Sequence, residues 1–329
     1  AMWDANAADE ADFQQFDRWY SQAGTPVVDI SGSLNSQDNT YTLKVKQTLP
    51  ETPDTQAKQP QLIPLKVALF STDGRQIPFR IQQDGEFSPT LMESVFIVRQ
   101  AEEELVLHNI DEPVVPSLLR GFSAPVKLHF PYSEQDLNTL MAFDSDEFCR
   151  WEAAQMLYRR AIIANHNALS DNKVLPEHSN LINNLNRVLD LRLDNAFTAL
   201  IFRLPETTEL MDLFEKPDPV QVFVARQNLL QSIASGCLKK LRQTEQRLMG
   251  ELANIHGESR IEYNAHAAGV RALLNICRAL IAVADDSVLP SYLNAYQAEN
   301  NFTLSLGLLQ AVNHHDCPER KQILDLYAK

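Results

Sequence analysis

The hydrophobic pattern of the chain changes period once, near residue 132, and that change commits it to two unlike parts. Before it, apolar residues alternate. In "TYTLKVKQ", Tyr41, Leu43 and Val45 fall on one side and Thr42, Lys44 and Lys46 on the other, which predicts a half-buried strand. "IPLKVALF" follows, then Asp73-Gly74, a strong hairpin signal. "SVFIVRQ", "EELVLHNI" and "APVKLHF" read as further strands, and most of the 17 prolines fall in this half, expected between strands. About seven short strands in about 100 residues predict a small β-sandwich over residues 25–131. The Pro-rich stretch 50–61 reads as a long loop inside it.

From Ser133 onward the period is helical. Asp144 with Glu147 resembles a capping box ahead of a helix whose face carries Trp151, Ala154, Tyr158, Ala161 and Ile162. Leu181, Leu185, Val188 and Leu189 form a second stripe, and Asp218-Pro219 supplies an N-cap and first-turn proline for a long third segment. Seven or eight helices with short polar joints predict an irregular helical superhelix, a HEAT/ARM-like stack, over residues 132–329. The opening stretch "FDRWYSQAGTPVV" reads as the end of a helix, stopped at Gly24, before a strand begun at Pro26.

Charge and motifs narrow the function. A net charge of −14 disfavours nucleic-acid partners, and Lys239, Lys240 and Arg242 are followed at once by Glu245. The apolar run 272–284 is broken by Asn275 and Arg278 and is too short to span a bilayer, so no membrane partner is expected. Residues 1–12 lack an apolar core and do not read as a signal peptide; Ala1 before Met2 suggests either a cloning scar or a chain cut from a longer protein. Cys149, Cys237, Cys277 and Cys317 are widely spaced, which predicts reduced, mostly buried thiols in a cytoplasmic protein.

HExxH, GxSxG, the P-loop and GxGxxG are absent, so no catalytic residue and no metal ligand is assigned. His314 and His315, adjacent on a helix, point apart and read as a helix end rather than a chelate. "AEEE" at 101–104 reads as a turn between strands. Arg159-Arg160 and the pair Arg271 and Arg278 could hold carboxylates but read first as ion-paired side chains; Trp19 and Trp151 read as packing anchors.

The junction stretch carries a resemblance. Trp19, Gln22, Gly24 and Pro26 match the Trp-x-x-Gln-x-Gly-x-Pro pattern found where the catalytic domain of gluzincin zinc aminopeptidases gives way to a β-sandwich. "QTLPETPDTQAKQPQLIPLKVALF" (47–70), "VVPSLLRGFSAPVKL" (114–128) and "DEFCRWEAAQML" (146–157) resemble the bacterial aminopeptidase N branch. "AMWDA" resembles the end of the preceding domain, although Trp3 stands where an acidic residue is usual.

The resemblance implies a parent enzyme that removes N-terminal amino acids from peptides with zinc held in a catalytic domain. None of the family's zinc ligands or amine-binding residues has a counterpart in this sequence. Residues 1–24 would then be a helical junction left from that domain, and the helical part would stop short of the family's last helices. The chain would be an architectural C-terminal part, without a cofactor of its own, partnered by the catalytic domain and the parent's peptide substrates. An exposed apolar patch near residues 1–24 and on one sandwich face is expected. The alternative is a complete, non-enzymatic module that binds peptides or proteins.

Overall fold

A computed structural model describes residues 13–53, 57–255 and 264–328. The stretch "AMWDA" and the first half of the expected junction lie outside the described residues. The chain forms two compact units, the first running to Ala153 and the second from Ala154.

The first unit begins with two single helical turns, α1 (Phe13–Phe16) and α2 (Arg18–Ser21). Two sheets follow. The first has the order β10 (Lys127–His129), β1 (Val27–Asn35), β2 (Thr40–Thr48), β8 (Glu102–His108). In the second, β3 (Ile63–Ser71) pairs with β4 (Gln76–Ile77), β7 (Glu93–Val98) and β9 (Val114–Leu118), and β5 (Gln82–Gln83) with β6 (Glu86–Phe87) makes a small separate ribbon. The alternation of β2 is realised: Tyr41, Leu43 and Val45 are buried, and their neighbours face outward. Ile30, Leu107, Ile63, Leu65, Val67, Leu69 and Phe79 are buried as well, each worth about 1.5–3 kcal/mol of burial.

Strand β3 is buried on both faces, which is why its sequence is almost continuously apolar. Its hairpin to β4 turns at Gly74, with φ +91°. The glycine lies so close to the Phe143 ring that any Cβ would overlap it. Prolines are not confined to the joints: Pro64 sits at the start of β3, and Pro116 lies in β9, which pairs with β3.

Two sequence expectations are corrected here. "AEEE" is no turn, since Glu102–Glu104 open β8, and Lys44 and Lys46 bridge to Glu104 and Glu102 at 3.1 and 3.0 Å. Cross-strand opposite charges reward an extended backbone. Glu103 faces the other way and accepts the backbone N–H groups of Arg99 and Gln100, closing the β7–β8 turn.

Asp144 does not cap the helix behind it either. Helix α3 (Glu134–Phe143), not anticipated as a separate helix, has its own capping box from Ser133 and Asp136. Helix α4 (Glu147–Ser170) is capped by Asp146, whose Oδ1 accepts from Cys149 N at 2.9 Å. Asp144 lies between the helices, fully buried, because its carboxylate meets Arg120 Nη1 at 2.6 Å.

Arg120 also donates to Glu93 (3.0 Å), Ser117 (2.9 Å) and Ser145 (2.8 Å), and stacks over Phe70. Burial pushes the Asp144 carboxyl up, with Arg120 opposing, whereas the Lys66 hydrogen bond holds Glu93 down. Left-handed backbone at Leu119, Gly121 and Phe122 aims the guanidinium inward. This cluster fastens α3 and the start of α4 to the sandwich.

The second unit holds the remainder of α4 and α5 (Ser179–Asp190), α6 (Asn195–Ile201), α7 (Thr207–Met211), α8 (Pro219–Ile255), α9 (Ala265–Ala284), α10 (Leu289–Ala298), α11 (Phe302–Asn313) and α12 (Pro318–Tyr327). With α3 and α4 that makes ten α-helices after residue 132 among the described residues, more than the seven or eight expected. Leu181, Leu185, Val188 and Leu189 are buried, and Asp218 caps α8 through Val220 N at 2.9 Å.

The apolar run 272–284 belongs to the 20-residue α9, which by length and composition is long enough to cross a membrane. It packs along α8 and touches α6 and α11, and 56% of its apolar window is buried within the chain.

Arg120→Met, which strands a buried Asp144, is expected to cost about 3–5 kcal/mol in urea unfolding monitored by near-UV circular dichroism. Asp144→Asn leaves Arg120 its other carboxylate, Glu93, and should cost less.

Candidate functional site

The segment 59–62 leads into β3 with no strand partner of its own, so its backbone groups need side chains. Gln47 supplies the first. It occupies an inward position of β2, is 4% exposed, and clamps Gln61 from both sides: Nε2 donates to Gln61 O at 2.9 Å, and Oε1 accepts Gln61 N at 2.8 Å. Its Nε2 also reaches Gln100 O at 2.9 Å.

The junction stretch supplies the rest. Gln15 Nε2 donates to Arg99 O at 2.6 Å, Arg18 Nη1 to Pro60 O at 2.6 Å, and Trp19 Nε1 to Leu62 O at 2.9 Å. Gln22 repeats the Gln47 device on Gln59, with Nε2 to the carbonyl at 2.9 Å and Oε1 accepting the N–H at 2.6 Å. Lys58 Nζ returns to Ala23 O at 3.2 Å. The two helical turns are therefore held to the sandwich by polar side chains on backbone.

The four motif residues fall in this seat. Trp19 and Gln22 dock on it as above. Gly24 does not itself end α2, because Gln22 is already extended. It turns the chain past Pro50, with φ +97°, and a Cβ there would stand 2.8 Å from Pro50 Cγ. Pro26 is buried, and its carbonyl accepts Lys127 N at 2.9 Å, starting the parallel pairing of β1 with β10.

Tyr20 is 78% exposed, whereas Phe13, Phe16 and Trp19 are half-buried. On the sandwich Phe87, Met92, Val95, Val106 and Phe122 are exposed. The residues that sequence reading missed are Gln15, Arg18 and Gln47. Gln47 alone had a signal, since it continues the inward series Tyr41, Leu43, Val45.

The other flagged side chains are dispersed. Arg159 pairs with Glu209 at 3.5 Å, Arg278 with Glu245 at 3.4 Å, and Lys240 with Asp190 at 2.6 Å, while Arg242 pairs with Asp285. His314 is exposed at the end of α11; His315 is half-buried, with burial holding its pKa down. Among the described residues no three His, Cys, Asp or Glu side chains converge as metal ligands, so they do not fit a zinc site. All four cysteines are free; burial raises Cys149 strongly and pushes Cys237 and Cys277 each up to about 12.

Comparison with known proteins decides the family. Residues 24–131 match the family described as "Domain of unknown function (DUF3458) Ig-like fold", and residues 134–329 match "Domain of unknown function (DUF3458_C) ARM repeats". The chain belongs to the DUF3458_C family. Its fold is an Ig-like β domain followed by ARM-like helical repeats.

Aminopeptidase N of Escherichia coli is 33% identical over 99% of this chain and 36% of its own length. The Haemophilus influenzae aminopeptidase N is 30% identical over 92% of the chain, and that of Caulobacter vibrioides 34% over 90%. The chain thus spans about a third of the length of the curated relatives it matches. A crystal structure of Legionella pneumophila aminopeptidase A in complex with aspartic acid shares the fold, with TM-score 0.78 and 24% identity over 98% of this chain and 35% of that one.

Two outcomes test this description. Gly24→Ala should cost about 1–3 kcal/mol, from left-handed strain and the Pro50 overlap, read as a lower urea midpoint. Native titration with a thiol-exchange reagent should modify Cys317 fast and the other three only on unfolding, because Cys317 alone is not buried.

Proposed function

We propose that this chain is the architectural C-terminal part of a zinc aminopeptidase that removes N-terminal amino acids from peptides. The observation that carries the reading is coverage: aminopeptidase N aligns with 99% of this chain using only 36% of its own length. The seat built around residues 15–24 supports it, because a helical stub fastened to a sandwich suits the seam between a preceding domain and this one.

In this reading the catalytic domain of the same parent chain is the principal partner and holds the zinc. The described residues offer no ligand set, and no step of the hydrolysis is assigned to them. The Ig-like domain buttresses the catalytic domain, and the helical repeats help enclose the chamber that admits peptide substrates. A cytoplasmic location belongs to the same proposal, supported by four free cysteines without a disulfide.

The test joins an assay to a mass. Purified chain supplemented with zinc should show no turnover of an aminoacyl chromogenic substrate. The native polypeptide detected by antibody in its source should be more than twice the 37.2 kDa of this chain. Turnover proportional to chain concentration, or a native mass near 37.2 kDa, overturns the proposal.

A further inference from the structure

The seam and the architectural role leave the β5–β6 ribbon without a part to play. At its tip stands Asp84-Gly85, one of two Asp-Gly pairs in the sequence; the other, Asp73-Gly74, closes the β3–β4 hairpin. An aspartate followed by glycine is open to attack by the next backbone nitrogen on its side-chain carboxyl, because glycine puts no Cβ in the way and rotates freely. The two pairs share one chemistry and have opposite surroundings.

Asp73-Gly74 is locked. The Ser71 hydroxyl donates to Asp73 Oδ1, and Ser71 itself is buried. The Gly74 N–H, on the nitrogen that would attack, is engaged with Ser71 O at 3.0 Å. Gly74 lies against the Phe143 ring, so the backbone has no room to rotate. The Ser71 hydrogen bond also holds the Asp73 carboxyl below the usual carboxylate range, which makes the protonated form that loses water rarer.

Asp84-Gly85 has none of these restraints. Gln83 pairs with Glu86, so Asp84 and Gly85 form a two-residue turn, with φ of +51° and +85°. Every residue from Gln82 to Phe87 is exposed. Gln82 Nε2 donates to the Gly85 carbonyl at 3.2 Å, but among the described residues no hydrogen bond or ion pair engages the Asp84 carboxylate or the Gly85 N–H. A Cβ on Gly85 would meet nothing within 4 Å. The ribbon is two residue pairs long, and a hairpin that short opens readily.

We propose that Asp84-Gly85 is a site of isoaspartate formation, and that the fold protects Asp73-Gly74 from the same reaction. The Gly85 nitrogen attacks the protonated Asp84 carboxyl and forms a C–N bond. The nitrogen gives up its proton, and one carboxyl oxygen leaves as water, closing a succinimide ring. Water then adds back to one of the two ring carbonyls. Opening on one side restores aspartate; opening on the other leaves the main chain running through the side-chain carbon. The atoms are conserved overall, and nothing is oxidised or reduced.

The isoaspartyl link carries one more backbone carbon. A two-residue turn sets the register of its strands, so the Gln82–Phe87 pairing is lost. Phe87 then leaves its edge-on contact with His108 of β8, where the ring centroids stand 5.0 Å apart.

The test ages the whole chain at neutral pH in water enriched in heavy oxygen, once folded and once in urea. Trypsin in ordinary water then cuts after Lys66, Arg75, Arg80 and Arg99, which puts the pairs on separate peptides, 67–75 and 81–99, each with a single aspartate. Mass spectrometry reads isoaspartate from its fragment ions and each ring opening from the uptake of one heavy oxygen. In the folded chain, isoaspartate should build up in 81–99 at least about tenfold faster than in 67–75, the factor that about 1.4 kcal/mol of barrier makes. In urea the two rates should converge. Asp84→Glu, which requires a larger ring, should abolish the product in 81–99 without altering the far-UV circular dichroism. Equal rates in the folded chain overturn the proposal. So does an 81–99 peptide free of isoaspartate after an ageing time that produces it in urea. None of these outcomes depends on whether the chain belongs to an aminopeptidase.

Discussion

A backbone segment that enters a sandwich without a strand partner must find its hydrogen bonds elsewhere, and in this chain residues 59–62 find them in glutamines. Gln47 and Gln22 each satisfy both the N–H and the carbonyl of one residue, at Gln61 and Gln59. Arg18 and Trp19 take the carbonyls of Pro60 and Leu62. One device thus orders the loop, aligns the start of β3 and ties down residues 15–22. The two turns α1 and α2 are too short to be stable as isolated helices. Their stability comes from this seat.

A second long-range device plays the corresponding part at the other end of the first unit. The loop around Leu119 to Phe122 is bent into left-handed backbone so that Arg120 can meet Asp144, Glu93, Ser117 and Ser145 together. A buried pair of this kind adds little net stability over apolar packing, but breaking it is costly. Its effect is to specify which helices belong with the sandwich. Helix α3 and the first turns of α4 therefore pack with the β domain, although their periodicity is that of the helical part.

Local pattern makes much of the fold legible in the sequence. The alternation of β2, the Asp73-Gly74 turn, the stripe on α5 and the cap of α8 are all short-range features, each set by residues within a few positions of one another. Where local pattern misleads, a distant partner decides. "AEEE" opens a strand because its Glu102–Glu104 pair with Lys44–Lys46 of β2, about 58 residues upstream in the chain. Asp144 is a buried anion and not a cap because Arg120 lies 24 residues upstream. In the seat, Gln15 acts across 84 residues on Arg99 and Gln47 across 53 on Gln100, and spacing in the sequence carries no trace of such pairs. Trp19, Gln22, Gly24 and Pro26 stand out in the sequence through resemblance; their physical reasons, an indole donor, an amide clamp, a positive φ and a buried strand start, are visible only in the fold.

The central claim is that this chain carries its own finished seat for the stub that precedes the sandwich. The most direct measurement is hydrogen exchange at the Trp19 indole N–H, resolved by nitrogen-15 NMR of the isolated chain. The account predicts protection well above that of an exposed indole, because Trp19 Nε1 donates to Leu62 O in a half-buried position. Exchange at the rate of an unstructured peptide would contradict it, and would mean that the seat does not hold residues 13–22 in place.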